Sequence, residues 1–272
     1  MGEAGPRSTE PADIDTSVAH ASRVYDFFLG GTTNFEVDRA AAGYLADAMG
    51  GYDVASSHVK GNRAFLVRAV QRLVDQGIRQ FLDVGTGVPN DTNTLAVAQA
   101  AAPESRVVCV DNDPVVLAHA HQLVKSTSDG DAAFIDADLR NPRRIIEQAG
   151  ETLNFTQPIG LLLVSMVHAL GDHPDRYGLV STLVDALPAG SYLVMSHLAS
   201  DITPEETEDA IRRLNERAAE VYVLASADEF TRYFDGLELL DPGVTRVDEW
   251  GKGPDDEPEV VVPFHAGVAR KP

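Results

Sequence analysis

Between residues 79 and 196, short apolar runs alternate with stretches of helical spacing, and this alternation constrains the chain more than any other feature. The runs cover 79–84, 106–110, 132–135, 159–164 and 191–196, and they are largely continuous in apolar residues. Helical patterns lie between them at 93–102, 114–125, 143–149 and 175–187. The last carries Leu179, Val180, Leu183, Val184 and Leu187 on one stripe. Strands apolar on both sides are buried on both sides, and strand–helix alternation favours parallel pairing. The pattern predicts an α/β fold: a mostly parallel sheet with helices on both faces.

The flanks read differently. Residues 1–16 mix Gly, Pro, Ser, Thr and acids without periodicity and read as a mobile tail. A helix is expected from Ser17, as N-cap, through Val18, Ala21, Val24, Tyr25 and Phe28, with Gly30-Gly31 stopping it. Further helices are expected at 36–49 and 54–75, the latter striped by Phe65, Leu66, Ala69, Val70, Leu73 and Val74 and ended by Gly77. Beyond Asp201 come expected helices at 204–219 and 228–234, and two late strands at 237–240 and 260–268. The Gly-, Pro- and acid-rich stretch 248–259 between those strands reads as an exposed loop. This gives a helical cap over 17–77 on a core over 78–272.

Charge narrows the partners. The 272 residues hold 22 Lys+Arg against 42 Asp+Glu, a net of −20, and residues 201–262 alone carry 18 acidic against 6 basic residues. Such a balance opposes phosphate backbones and anionic lipid, so neither nucleic acid nor a membrane surface is an expected partner. The length suffices for a hydrophobic core without staples. The single cysteine, Cys109, sits in an apolar run and reads as a core residue. The N-terminal residues show no apolar leader and the apolar stretch 159–167 is too short to span a bilayer, so a soluble, cytoplasmic protein is expected.

The chemistry gathers where the expected strands end. The run Phe81-Leu82-Asp83-Val84-Gly85-Thr86-Gly87 puts an acid and a glycine-spaced turn between a strand and a helix. Glycine lets the backbone turn sharply and approach a ligand there. The second strand ends in Asp111, followed by Asn112, and an acid at that tip can accept two ribose hydroxyls. The third is followed by Asp136-Ala137-Asp138-Leu139. Asp136 reads as a solvated turn residue, and Asp138 as an acceptor for an adenine amino group.

A dinucleotide would want G-x-G-x-x-G and a helix N-terminus facing a pyrophosphate, but Pro89-Asn90 stands where the third glycine belongs, and no basic residue is near. S-adenosylmethionine carries no phosphate and brings a sulfonium and an ammonium, which an acidic edge suits.

These residues resemble the class I S-adenosylmethionine-dependent methyltransferases, through Asp83-x-Gly85-x-Gly87, Asp111, Asp138-Leu139 and the turn Leu187-Pro188-Ala189-Gly190. More narrowly, the segment Arg23-Val24-Tyr25-Asp26-Phe27-Phe28-Leu29-Gly30-Gly31 is similar to the opening of the actinobacterial family called S-adenosyl methyltransferase. So are Asn34-Phe35, Asp38-Arg39, Asn62-Arg63-Ala64-Phe65-Leu66 and Phe234-Asp235-Gly236-Leu237. The resemblance covers the chain after about residue 15 and implies a seven-stranded sheet, helices over the cofactor end and a closing C-terminal hairpin. It places Gly85, Thr86 and Gly87 beside the methionine portion and Asp83 at the ammonium. It places Asp111 and Asn112 at the ribose, Asp138 and Leu139 at the adenine, and Ser165 in the same pocket. S-adenosyl-L-homocysteine is the implied product. Pro89 departs from the class pattern and leaves the path of that loop open.

The acceptor side is thinner. After the fourth strand the chain reads Leu163-Val164-Ser165-Met166-Val167-His168, without the (Asp/Asn)-Pro-Pro-(Tyr/Phe) motif of amino-group methyltransferases acting on bases. His168 is the candidate general base, with His197 at the fifth strand's end as a second. Arg63 can reach a cofactor carboxylate, and Tyr25, Phe28 and Phe35 can form an aromatic wall. His119 and His121 read as solvated, and no metal is expected, since no histidine pair falls on a strand tip. The expectation is a methyltransferase acting on a small-molecule acceptor. An NAD-dependent oxidoreductase on a Rossmann sheet and a non-catalytic S-adenosylmethionine sensor stand as alternatives.

Overall fold

A computed structural model describes residues 15–123, 131–171, 173–216, 220–252 and 260–272. Residues 1–14 of the expected tail over 1–16, the far ends of the helices expected at 114–125 and 204–219, residues 253–259 of the loop expected over 248–259 and the side chain of His121 lie outside the described residues.

The five expected strands form as β1 (Gln80–Val84), β2 (Arg106–Asp111), β3 (Ala132–Asp136), β4 (Gly160–Val164) and β5 (Tyr192–Leu198). Three more follow: β6 (Glu238–Leu239), β7 (Thr245–Arg246) and β8 (Phe264–Arg270). The sheet runs β3-β2-β1-β4-β5-β8-β6, with β7 also on β8. The first five strands are parallel and β8 is antiparallel to β5. The reversal between β1 and β4 opens the crevice at the carboxyl ends where such sheets bind ligands.

Alternation along each strand divides the core into two layers. Leu82, Val84, Val108, Val110, Leu161, Leu163 and Leu193 face one side, under α6 (Pro142–Ala149) and α7 (Arg176–Ala186). Phe81, Val107, Cys109, Leu162, Val164 and Val194 face the other, under α3 (Tyr52–Asp75) and α4 (Thr94–Ala101). A third, smaller cluster joins Phe28 of α1 (Ala21–Phe28), Ala42 and Ala46 of α2 (Glu36–Ala48) and Ala55 of α3. Thus α3 belongs to both parts: its start packs with the cap, and Phe65 to Val74 packs on the sheet.

Local chemistry sets the helix starts. Asn93 caps α4 by accepting from the Ala96 N–H at 2.8 Å. Asp38 in the first turn of α2 accepts from the Phe35 N–H at 2.8 Å and the His20 N–H at 3.0 Å. Proline begins α5 (Pro114–Leu123), α6 and α8 (Pro204–Asn215), where its missing N–H costs nothing. Ser226 and Glu229 make a capping box at α9 (Ala227–Thr231), after which residues 232–234 tighten into a 3₁₀ turn.

Four expectations are corrected. Ser17 is not the N-cap of α1: its N–H and hydroxyl turn back to Asp15, and His20 caps a helix that starts at Ala21. The sheet has eight strands, because Thr245–Arg246 adds one too short for a sequence pattern to show. The late strands shift: 237–240 shrinks to Glu238–Leu239, and the strand expected at 260–268 runs from Phe264 to Arg270, since Pro263 has no N–H for the ladder. The start of the expected exposed loop is buried. Trp250 sits edge-on against Phe65 at 5.5 Å, and Arg68 donates to the Trp250 and Val247 carbonyls at 2.8 and 2.6 Å.

Candidate active site

A cavity of about 480 Å³ opens at the carboxyl ends of the parallel strands and is roofed by α1, α2, α3 and α8. Of the sequence-predicted residues it brings together Tyr25, Phe28, Arg63, Asp83, Gly85, Thr86, Gly87, Asp111, Asn112, Asp138, Leu139, Ser165 and His168. Phe35 and His197 are not in its wall.

The glycine turn is built as the chemistry requires. Gly85 and Gly87 have φ of 79° and 70°, in the left-handed region. The N–H groups of Gly85 and Thr86 both donate to the Val110 carbonyl, at 2.8 and 3.1 Å, which folds the turn over the end of β2. A Cβ on Gly85 would lie 2.5 Å from the Met166 sulfur, whereas one on Gly87 would meet open space.

The three acids differ in their surroundings. Asp83 is fully buried and accepts the Thr86 hydroxyl at 2.9 Å. Burial pushes its pKa up, against the pull of Thr86 and the charge of Arg63. Asp111 accepts from the Gly87 N–H with one oxygen and the Asp113 N–H with the other, each at 2.9 Å. A carboxylate oxygen has two lone pairs, so each keeps one acceptor site. Burial raises the Asp111 pKa too, and the two N–H donors oppose it. Asp138 is more open: it accepts the Arg140 N–H at 2.7 Å, pairs with its guanidinium at 3.1 Å and meets the Asn112 amide at 3.4 Å. Asp136 is exposed, as expected, but it is the last residue of β3, opposite Asp111 in the ladder, rather than a turn residue.

Arg63 lies over the Tyr25 ring at 5.3 Å, and its Nε is buried without a hydrogen-bond partner. A network ties the cap to the turn after β4. The Tyr25 hydroxyl donates to the Val59 carbonyl at 3.2 Å and accepts from the Asn62 amide at 2.9 Å. The Ser196 hydroxyl donates to Asn62 at 2.6 Å and accepts the Ser165 N–H at 2.9 Å. Ser165 itself has a φ of 59° and is the one non-glycine in the left-handed region among the described residues.

The two candidate bases are neutral. His168 lines the cavity against Tyr222 and Phe264, with ring centroids at 5.7 and 6.0 Å. Its Nδ1 is buried without a partner, and burial together with the neighbouring His197 holds its pKa well below 6.5. His197 stands behind it at 5.6 Å, among Phe230 and Tyr233, with Nδ1 at 2.8 Å from the Leu198 carbonyl. Burial pulls its pKa down to about 4. The alternation of β5 turns His197 away from the cavity, so it packs against His168 rather than facing a ligand. His119 is exposed, as expected.

Sequence reasoning missed the clamp that holds the cap. Arg23 of α1 makes a two-pronged ion pair with Asp113, Nε to Oδ2 and Nη2 to Oδ1, both at 2.8 Å and both buried. Ser22 adds its hydroxyl at 2.8 Å and His20 lies 3.3 Å away. The signal was present, in the first residue of the opening motif and in an acid before Pro114, but 90 residues separate the partners. Glu220 was also missed; it lines the cavity 3.9 Å from Arg140. Among the described residues, no cluster of His, Cys, Asp and Glu is arranged to hold a metal.

A mostly parallel sheet of this order, with acids gathered at three adjacent strand ends around a cavity, is the architecture of an α/β protein that binds its ligand at the carboxyl ends of the strands. The chain belongs to the S-adenosyl methyltransferase family, whose model matches residues 7–272. It is similar to a DUF574 family protein from Streptomyces avermitilis, with 36% identity over 95% of this chain and 99% of that one, at a TM-score of 0.89. A provisionally assigned methyltransferase from Thermobifida fusca shares 35% identity over 97% and 99% of the two chains, at a TM-score of 0.87. At the level of fold alone, the plantazolicin methyltransferase BpumL, solved with S-adenosylhomocysteine, aligns over 92% of this chain and 95% of its own, with 12% identity and a TM-score of 0.50. A search of curated proteins gave no match. The protein is an S-adenosylmethionine-dependent methyltransferase, which sets aside the oxidoreductase and sensor readings. No helix among the described residues is long and apolar enough to cross a membrane.

Proposed function

We propose that the chain transfers a methyl group to a small-molecule acceptor from a cofactor seated across β1, β2 and β3. The observation that carries this is the meeting of Asp83, Asp111 and Asp138 with the glycine turn in one cavity. The site suits the cofactor's chemistry. Asp111 keeps one free acceptor position on each oxygen for two ribose hydroxyls. Asp138, with Asn112 beside it, and the buried Leu139 flank the place for adenine. Gly87 leaves open space beside the methionine portion, with Thr86 and Ser165 next to it. The unpartnered Nε of Arg63 suits a carboxylate, and Asp83 suits an ammonium.

When bound, S-adenosylmethionine supplies a methyl group activated by its positive sulfur. The chain's own task is to align the acceptor and exclude water. The roof of α1, α2, α3 and α8 does the second, and the Tyr25–Asn62–Ser196–Ser165 network holds that roof in register with the strand ends. His168 lines the cavity beyond the glycine turn, and as a neutral imidazole it can take a hydrogen bond. A net charge of −20 argues for a small acceptor over nucleic acid. We also read the protein as cytoplasmic, with a lone buried thiol that needs no oxidising compartment.

Titration calorimetry with S-adenosylhomocysteine tests the cofactor site. Asp111→Ala removes the acceptor of two hydroxyl hydrogen bonds and should weaken binding by about 2–3 kcal/mol, roughly 30- to 150-fold. Unchanged affinity in that variant would remove Asp111 from the site.

A further inference from the structure

The sheet edge divides into two unlike halves. The strands β3, β2 and β1 carry the acids. On the other half, β4 leads to His168, β5 ends at Leu198, and Phe264 starts β8 directly opposite Leu198 in the ladder. Over this second half lie α2 and α8, which pack on each other. They contribute Val37, Ala41 and Leu45, and Ile211 and Leu214, to the cavity wall. The mouth is apolar as well, since Val18 and Tyr44 line the cavity and are about half exposed.

The charged groups around this chamber already have partners, apart from Arg63, whose unpartnered Nε is given above to the cofactor carboxylate. Arg213 pairs with Asp209 at 2.7 Å, Glu220 faces Arg140 at 3.9 Å and His20 lies 3.3 Å from Asp113. Burial holds both His58 and His168 below the ordinary histidine pKa, so they are neutral at pH 7. A charged acceptor would therefore lose its water here without gaining an opposite charge, and that desolvation is expensive. A neutral acceptor faces no such cost. It would find the imidazole of His168, whose Nδ1 makes no hydrogen bond, at the inner end; the other imidazole of the lining with an unpartnered Nδ1, His58, stands on α3 beside the Val261 backbone. The surrounding rings of Tyr222 and Phe264 make the wall there aromatic.

We propose that the acceptor is an electrically neutral, largely apolar molecule that fills the chamber under α2 and α8 and offers its one polar hydrogen to His168. This rests on the cofactor assignment above, because it gives the acidic half of the cavity to S-adenosylmethionine. His168 is here a specificity-determining residue: it selects a hydroxyl or N–H at the chamber's inner end, while the wall selects against charge.

The test uses the full chain saturated with S-adenosylhomocysteine, with binding read by equilibrium dialysis. The probes are 1-naphthol, naphthalene, 1-naphthoate and 1-naphthylmethylammonium. We expect 1-naphthol to bind with a Kd below about 1 mM and both charged probes to bind at least about tenfold more weakly. His168→Phe should weaken 1-naphthol about fivefold and leave naphthalene unchanged, since only a hydrogen bond is lost. Ala41→Trp should abolish binding of both neutral probes and leave S-adenosylhomocysteine binding intact, because it adds bulk to the chamber wall alone.

The proposal falls if a charged probe binds as tightly as 1-naphthol, if no neutral probe binds, or if Ala41→Trp leaves neutral binding unchanged. It falls in its assignment of His168 if His168→Phe weakens naphthalene as much as 1-naphthol. Failure of S-adenosylhomocysteine itself to bind is a separate result, which would overturn the cofactor reading first.

Discussion

Replacing Arg23 by alanine should loosen the cap from the core, and the structure sets the size of the effect. The Arg23–Asp113 pair is two-pronged, with both contacts at 2.8 Å, and the residues are 3% and 0% exposed. Removing one member of a buried pair costs about 3–5 kcal/mol, because the other charge is left in a poor dielectric. Asp113 would keep Ser22, the Val115 N–H and His20, which places the cost near the lower end, about 3 kcal/mol. For a chain of this size that is a fall in Tm of ~6–12 °C if cap and core melt together.

A double-mutant cycle separates the pair from incidental packing, such as the stacking of Arg23 on Phe35 at 5.3 Å. Asp113→Asn keeps the helix cap and removes the charge, so the double variant should be less destabilised than the sum by about 2 kcal/mol. If α1 undocks by itself, the melt stays put and amide exchange rises across residues 21–28 instead. Additive single effects with neither a Tm shift nor faster exchange would refute the clamp. The pair also carries a pH signature. Burial alone would raise the Asp113 pKa, but the Arg23 hydrogen bonds and the His20 charge outweigh it and hold it below its ordinary value. The clamp's contribution is therefore present above about pH 4 and lost as pH falls through the lowered value, and Asp113→Asn should remove that acid-side loss.

Three further outcomes follow from the same geometry. Gly85→Ala forces a left-handed φ of 79° on alanine and drives its Cβ to 2.5 Å from the Met166 sulfur. It should cost about 2 kcal/mol or more in chemical denaturation and weaken S-adenosylhomocysteine binding. Burial raises the Asp83 and Asp111 pKa values, so the protein loses that contribution to stability as pH rises through those values. A cationic cofactor favours the ionised forms, so binding should release protons: the affinity should rise with pH, and at fixed pH the calorimetric heat should change with the buffer's ionisation enthalpy. Cys109 is fully buried, with its thiol pKa pushed up by burial, so a thiol reagent should leave the native protein unlabelled and label the unfolded chain once.

Much of this architecture was legible because each clue was local. The strands β1 to β5 announce themselves as continuous apolar runs, and the acids at their tips follow directly in sequence, so Asp83, Asp111 and Asp138 were found together with the turn between them. What escaped depends on contacts between distant residues. The Arg23–Asp113 clamp spans 90 positions and the Asn62–Ser196 hydrogen bond spans 134, and no periodicity encodes either. The region around Trp250 looked like a solvated loop because acids, glycine and proline surround it; its burial depends on Phe65 and Arg68 of α3, far away in sequence. His197 reads as a second candidate after His168 because it falls near the end of the fifth strand; the pleat of β5 turns it from the cavity, whereas His168, in the 3₁₀ turn after β4, lines the wall.

The central claim is the seat of the cofactor on the acidic edge, and a crystal structure with S-adenosylhomocysteine tests it most directly. The account predicts both ribose hydroxyls on the Asp111 carboxylate, the adenine between Asp138 and Leu139, and the terminal carboxylate on Arg63, with the chamber under α2 and α8 left open. S-adenosylhomocysteine lying in that chamber instead, or with its ribose away from Asp111, would contradict it.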